Sequence, residues 1–246
     1  MAKAGFRTDT GRLRSNNEDA LLVLPRVRTY AVADGVGGHN SGEVASRKAV
    51  TGFEKYLDEN DLDKAHDGED SKSALMEYFL ECLEGINADI RETAEDRPEC
   101  AGMATTLVAA HVSDDKLYVV NIGDSRAYIV RDGKISQITI DHTVVNKMVA
   151  NGELSAEEAR NHPRKNEITR ALGAEEGICP DFFVTELCHG DRVVLCSDGL
   201  YGEVPDEEIC NTVSLGEDLN EICKSLVDKA NERGGRDNIT VICLEI

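Results

Sequence analysis

Four places in the chain share one arrangement: an apolar run, an aspartate, and a glycine or small polar residue beside it. Three leave a strand-like run, at Tyr30-Ala31-Val32-Ala33-Asp34-Gly35, Ile138-Thr139-Ile140-Asp141-His142-Thr143 and Leu195-Cys196-Ser197-Asp198-Gly199. The fourth, Gly235-Arg236-Asp237-Asn238-Ile239-Thr240, inverts the order, with the aspartate entering a strand. Hard divalent cations such as magnesium and manganese take oxygen ligands, and carboxylates anchored on rigid strand ends supply them with little loss of entropy. A glycine next to the ligand lets a carbonyl or a phosphate come close. One Asp-Gly pair alone is an ordinary turn. A fifth segment, Thr8 to Ala20, adds Arg14 four residues before Glu18 and Asp19, placing a phosphate-reading guanidinium and two more carboxylates on one short piece of chain.

Rigid strands must hold such groups, and the sequence supplies them. Strand-like runs lie at 29–33, 105–112, 116–122, 127–130, 134–140, 191–196 and 239–244. Asp132-Gly133 between two of them is a hairpin turn, since both residue types tolerate positive φ. Residues 104–140 are therefore expected to form one antiparallel meander. Helical spacing is carried by Val44, Ala45, Ala49, Phe53 and Leu57, and by Leu75, Phe79, Leu83, Ile86 and Ile90. A third helix is expected through Leu219, Ile222, Cys223, Leu226, Val227 and Ala230, stopped by Gly234 and Gly235. Two short helices fall between, one ending near Gly152 and one opened by Ser155 and Glu158 as a capping box. Antiparallel strands with amphipathic helices, lacking strict βα alternation, predict an α+β fold: two packed antiparallel sheets with helices on both outer faces.

The 246 residues contain no repeat, low-complexity tract or linker, so a single domain spanning 1–246 is expected. The net charge of −20 argues against nucleic acid or an anionic membrane as partner, since both demand cationic patches. A phosphate substrate is compatible with it only if bound cations reverse the local field. Eight scattered cysteines without metal-site spacing read as reduced thiols, and with no apolar stretch of spanning length a cytoplasmic setting is expected.

Arg14 to Ala20, Ala33 to His39, Thr105-Thr106, Gly123-Asp124-Ser125-Arg126, Asp141-His142-Thr143, Ser197 to Leu200 and Asp237 to Thr240 occur in the order found in metal-dependent protein phosphatases of type 2C. The chain resembles a compact bacterial member of that family over nearly its whole length. The resemblance implies hydrolysis of phosphoserine and phosphothreonine in proteins by a water held between two manganese or magnesium ions, with Asp34 bridging them. It implies that the Gly35 carbonyl serves the second ion, Asp198 and Asp237 the first, and Glu18 the second through water. Asp19 and Asn238 would lie behind these ligands. Asp141 with Asp198 resembles the pair for a weaker third ion, and Arg14 the phosphate-binding arginine. Residues 143–189 occupy the place of a mobile flap, with Pro163, Arg164 and Lys165 as a small basic patch. Partners would be phosphorylated proteins, including serine/threonine kinases and their substrates, met by a monomer.

The sequence departs from many eukaryotic relatives in having Val36 where a histidine assigned as general acid follows the Asp-Gly pair. That role is not carried over to His39, and metal-bound water is one source of the leaving group's proton that the resemblance leaves open. Ala104 stands where similar bacterial sequences have glycine. Other phosphatase chemistries find no support. No cysteine has an arginine six positions on, Asp61-Leu62-Asp63 lacks the following Thr or Val of a haloacid-dehalogenase site, and there is no Gly-Asn-His-Glu. Asp34-Gly-Val-Gly-Gly has the wrong glycine spacing for a dinucleotide. A two-metal nuclease fits the carboxylates but not the charge. The alternative from another class is a noncatalytic pseudophosphatase that binds phosphoproteins in a metal-dependent way. The acidic side chains retained at every matched position disfavour it.

Overall fold

The computed structural model describes residues 3–38, 41–62 and 71–246. His39 and Asp63, weighed above, lie outside the described residues. The strands are β1 (Lys3–Asp9), β2 (Asp19–Leu24), β3 (Thr29–Val36), β4 (Ala104–Thr105), β5 (Leu107–Ser113), β6 (Lys116–Ile122), β7 (Arg126–Arg131), β8 (Lys134–Gln137), β9 (Asp181–Glu186), β10 (Arg192–Cys196) and β11 (Ile239–Glu245). The helices are α1 (Ser41–Glu59), α2 (Ser71–Asp96), α3 (Val144–Ala150), α4 (Ala156–Arg160), α5 (Asp198–Tyr201), α6 (Asp206–Leu215) and α7 (Leu219–Glu232).

One sheet runs β1-β11-β10-β7-β8 and the other β2-β3-β5-β6-β9, with β4 paired to the end of β3. Every pairing is antiparallel. The period of two along each strand explains the layering. On β3, Tyr30 and Val32 point into the space between the sheets, while Ala31 and Ala33 meet Ala45, Ala49 and Phe53 of α1. On β11, Ile242 and Leu244 face the inter-sheet core, while Val241 and Cys243 meet Ile222 and Leu226 of α7. Three apolar layers thus separate four structural layers, helix, sheet, sheet and helix, as expected from the sequence. No described helix is long and apolar enough to cross a membrane.

Two details differ from expectation. Residues 104–140 are not one meander: β5 and β6 belong to one sheet and β7 and β8 to the other. The chain changes sheets at Gly123-Asp124-Ser125. Gly123 has φ 107°, and a Cβ there would collide with the Thr106 side chain, so only glycine makes this corner. Within 143–189, where the resemblance implies a flap, β9 forms an edge of the second sheet by pairing with β6. Helices α3 and α4 and the loop that follows precede β9, with bridges between Thr143 and Ile168 and between Thr105 and Leu172. The Asp132-Gly133 turn has positive φ at both residues, 51° and 70°, and the Ser155–Glu158 capping box is formed as predicted.

Candidate active site

The aspartates meet at one end of the sandwich, where strands of both sheets stop. Asp34 is near the end of β3 and Asp19 opens β2, and the two are directly paired across these antiparallel strands. Asp198 starts α5 two residues past Cys196, the last residue of β10, and Asp237 lies two residues before β11. Each backbone is pinned by neighbours. The Asp34 N–H donates to Thr106 Oγ1 (3.0 Å), and its carbonyl accepts from Thr106 N–H and Thr105 Oγ1 (both 2.9 Å). Thr106 Oγ1 in turn lies 2.7 Å from Ser125 Oγ, joining Asp34 to the corner where the chain changes sheets. Gly35 packs against the backbone of Gly42 in the first turn of α1, and a Cβ on either would overlap the other.

Asn238 does for the N-terminal loop what the threonines do for Asp34. Its side chain accepts from Glu18 N–H (2.8 Å) and donates to the carbonyls of Thr10 (2.9 Å) and Asn16 (2.8 Å). Glu18 O accepts from Gly35 N–H at 3.1 Å, so Glu18 is held beside the metal-ligand candidates on both sides. Asp19 accepts from Ser197 Oγ at 2.7 Å, and Ser197 Oγ accepts from Thr240 N–H at 3.0 Å. Arg14 donates to Asp237 Oδ2 at 2.7 Å, and Asp237 Oδ1 accepts from the Asn238 N–H at 2.8 Å.

Burial and mutual repulsion leave these acids reluctant to ionise. Burial first, then the charges of Asp19, Asp198, Asp124 and Asp237, hold the Asp34 carboxyl well above the ordinary range. Burial followed by Asp237 pushes Asp198 up to about 6, although a hydrogen bond with Asp34 and the charges of Arg14 and Arg126 oppose it. Burial likewise pushes Asp19 and Asp124 up to about 7 and raises Glu18. Like charges so close cannot all be present without protons or cations between them.

Whether the residues suit hard cations can be judged on this geometry. Among the described residues, no three acidic, histidine or cysteine side chains close on one point as a ready-made cage. Repulsion accounts for that: Asp237 leans on Arg14, and Asp34 shares a hydrogen bond with Asp198. The donor set is nevertheless all oxygen, and Asp19 Oδ1 and Asp198 Oδ1 are buried with no hydrogen-bond partner. Orphaned carboxylate oxygens at the centre of an acidic cluster are what divalent ions satisfy. The residues fit.

Asp141, expected with Asp198 at a third ion, is paired with Arg126 in this structure. Its carboxylate accepts from Arg126 Nε (3.0 and 3.1 Å), Arg126 Nη2 (2.7 Å) and Gln137 Nε2 (2.7 Å), which occupies both oxygens. A buried acid takes a fork-shaped counter-ion when one is within reach. After burial, the acid that raises Asp124 most is Asp198, so Asp124, expected as a turn former, belongs to the acidic cluster. Thr105, Thr106, Ser125 and Ser197 were also missed as supports. His142 is structural: its Nδ1 accepts from Gly123 N–H at 3.1 Å, its Nε2 faces Asp181 at 3.2 Å, and burial lowers its pKa. In the basic patch, Arg164 is already paired with Glu167 at 2.6 Å.

Known proteins share this arrangement. The protein phosphatase 2C family profile matches residues 12–240. The serine/threonine phosphatase stp of Listeria innocua is 38% identical over 245 residues, covering 98% of this chain and 95% of its own. The solved S. agalactiae serine/threonine phosphatase superposes with a TM-score of 0.91 at 33% identity, covering 100% of both chains. The catalytic domain of the serine/threonine protein phosphatase PstP, solved in complex with two manganese ions, gives 0.85 at 35% identity, covering 99% of this chain and 97% of that one. A chain with this sandwich, this acidic centre and this similarity from end to end belongs to the protein phosphatase 2C family.

Proposed function

We propose that this metal-dependent protein phosphatase removes phosphate from phosphoserine and phosphothreonine by direct attack of water, and that its residues divide the work as follows. The observation that carries the reading is the gathering of Asp19, Asp34, Asp124, Asp198 and Asp237 into one cluster, in which burial and then mutual repulsion raise Asp19, Asp34, Asp124 and Asp198. Asp34 would bridge two ions, Asp198 and Asp237 would hold one, and the Gly35 carbonyl with Glu18 through water would hold the other. A weaker third would fall to Asp198 and Asp124. Such ions, manganese or magnesium, supply charge to screen the phosphate and to lower the pKa of a water.

The chain's own groups do the rest. Arg14 sits on Asp237 at the rim, half exposed, and its guanidinium has the fork that orients a phosphate. Asn238 keeps the Arg14 to Glu18 loop folded over the site, and Ser197 holds Asp19 in place behind it. No cysteine or serine nucleophile is required, so no phosphoenzyme forms. The leaving oxygen takes its proton from water, since the position after Gly35 is Val36.

Phosphoprotein substrates, including serine/threonine kinases and their targets, fit this reading. All eight cysteines are free, which supports a reducing cytoplasmic setting, and a monomer is the simplest state. The test is hydrolysis of a small aryl phosphate and of phosphopeptides by the full chain with added manganese. Manganese-dependent turnover without a trapped phosphoprotein is expected. Its absence in the intact chain would favour a noncatalytic binding module, and a covalent intermediate would sink direct attack.

A further inference from the structure

Arg126 opens β7 directly after the Gly123-Asp124-Ser125 corner, and its side chain is 19% exposed. Every face of its guanidinium is used. Nε and Nη2 hold Asp141, Nη1 donates to Tyr128 Oη at 2.8 Å, and the plane lies 3.6 Å from the centre of the Tyr201 ring. Stripping water from a guanidinium is costly, and a carboxylate on its edge with an aromatic ring on its face are the two features that offset it. A lysine, a point charge with no plane and no fork, could not hold Asp141 bidentately while stacking on the ring.

The partners of Arg126 lead directly to the site. Tyr201 closes the short helix α5 that Asp198 begins, and its hydroxyl donates to the backbone carbonyl of Asp124 at 2.9 Å. One ring therefore spans the two chain segments that bear Asp198 and Asp124. The Asp141 carbonyl accepts from Asn146 Nδ2 at 3.0 Å, which ties the same hub to the first turn of α3 at the root of the flap.

We propose that Arg126 is a positioning residue: through Tyr201 it fixes the spacing of Asp124 and Asp198, and through Asp141 it locks that spacing to the root of the flap. It touches neither substrate nor ion. This inference rests on the reading of Asp198 as a metal ligand. It differs from a packing role in what it predicts, since loss of packing lowers thermal stability, whereas loss of spacing weakens the most loosely held cation.

The experiment is a manganese titration of the metal-stripped full chain, followed by the electron paramagnetic resonance of free Mn2+, with thermal unfolding on the same samples. Tyr201→Phe keeps the stacked ring and deletes only the bond to Asp124. Arg126→Lys keeps the charge and deletes the fork and the plane. Both are expected to weaken the most loosely held manganese by about 10- to 100-fold, the range for residues that support metal ligands. The manganese concentration for half-maximal turnover should rise in parallel. Should Arg126→Lys fail to fold, Tyr201→Phe decides. Saturable binding in the wild type with unchanged binding in the folded variants overturns the inference alone. A wild type that binds no manganese overturns the metal reading and this inference with it.

Discussion

Asp19 and Asp34 stand opposite one another across β2 and β3, a like-charged pair in direct cross-strand register. Such pairs destabilise a sheet. It sits beside Tyr30, Ala31, Val32 and Ala33, all fully buried, and is the local loss of stability that the proposed cation site would require. The consequences can be measured.

Asp34→Asn is expected to raise the melting temperature of the metal-stripped protein, because it removes one of the mutually repelling charges. The same change should lower manganese-dependent turnover by more than about 100-fold, beyond the range for residues that merely support ligands. Asp237→Asn should show a similar loss of turnover. A stable Asp34→Asn protein that kept its activity would contradict the bridging role.

Metal-free stability should depend on pH in the reverse of the usual acid sense. Asp19, Asp124 and Asp198 bind protons more tightly folded, with values of about 7, 7 and 6, than unfolded. Their stabilising contribution is complete below the unfolded value near 3.8 and is lost as pH rises from there to about 7. With chelator present, melting at pH 5.5 should exceed melting at pH 7.5. Manganese should close the gap, and its binding near pH 6 should release protons that a pH-stat can count.

Arg14 gives a test of separate roles. Its pair with Asp237 is half exposed, and such pairs contribute about 0–1 kcal/mol. Arg14→Ala should therefore shift manganese affinity by less than about fivefold, the equivalent of 1 kcal/mol. It should weaken inhibition by inorganic phosphate and lower kcat/KM by at least about tenfold, as loss of a charge-assisted phosphate contact does. Equal losses in metal and phosphate binding would merge the two roles.

Thr106→Val removes the acceptor for the Asp34 N–H and the partner of Ser125. An unsatisfied buried donor costs about 1–3 kcal/mol, and urea unfolding should show that loss at constant m-value. Activity should fall as well, since Asp34 is no longer held from behind.

Much of the fold was legible because burial left a period. All six positions assigned to the face of α7 are buried, as are Leu75, Phe79, Leu83, Ile86 and Ile90 on α2. The strands that escaped notice are at sheet edges: β1, β2 and β9 have partners on one side only, and β1 carries few buried side chains to mark its alternation. Helix α6 was hidden by its acidic first turn, Asp206, Glu207 and Glu208, which suits a helix N-terminus but reads as solvent-exposed chain. The hairpins around 104–140 were visible, but a hairpin signal is local. It says nothing about which sheet the hairpin joins.

The sequence by itself determined the inventory: aspartates at strand ends, an arginine ahead of a Glu-Asp pair, and a family order specific enough to imply two packed sheets and phosphate chemistry. Only the tertiary structure decided which of these acids are neighbours. Asp124 looked like a turn residue and became part of the cluster because the chain changes sheets there. The Arg126 fork that holds Asp141 was equally invisible to any local pattern. The reason is that electrostatic roles depend on distances set by sheet-to-sheet packing, between residues such as Asp34 and Asp198 that are far apart along the chain, and no local pattern encodes such a distance.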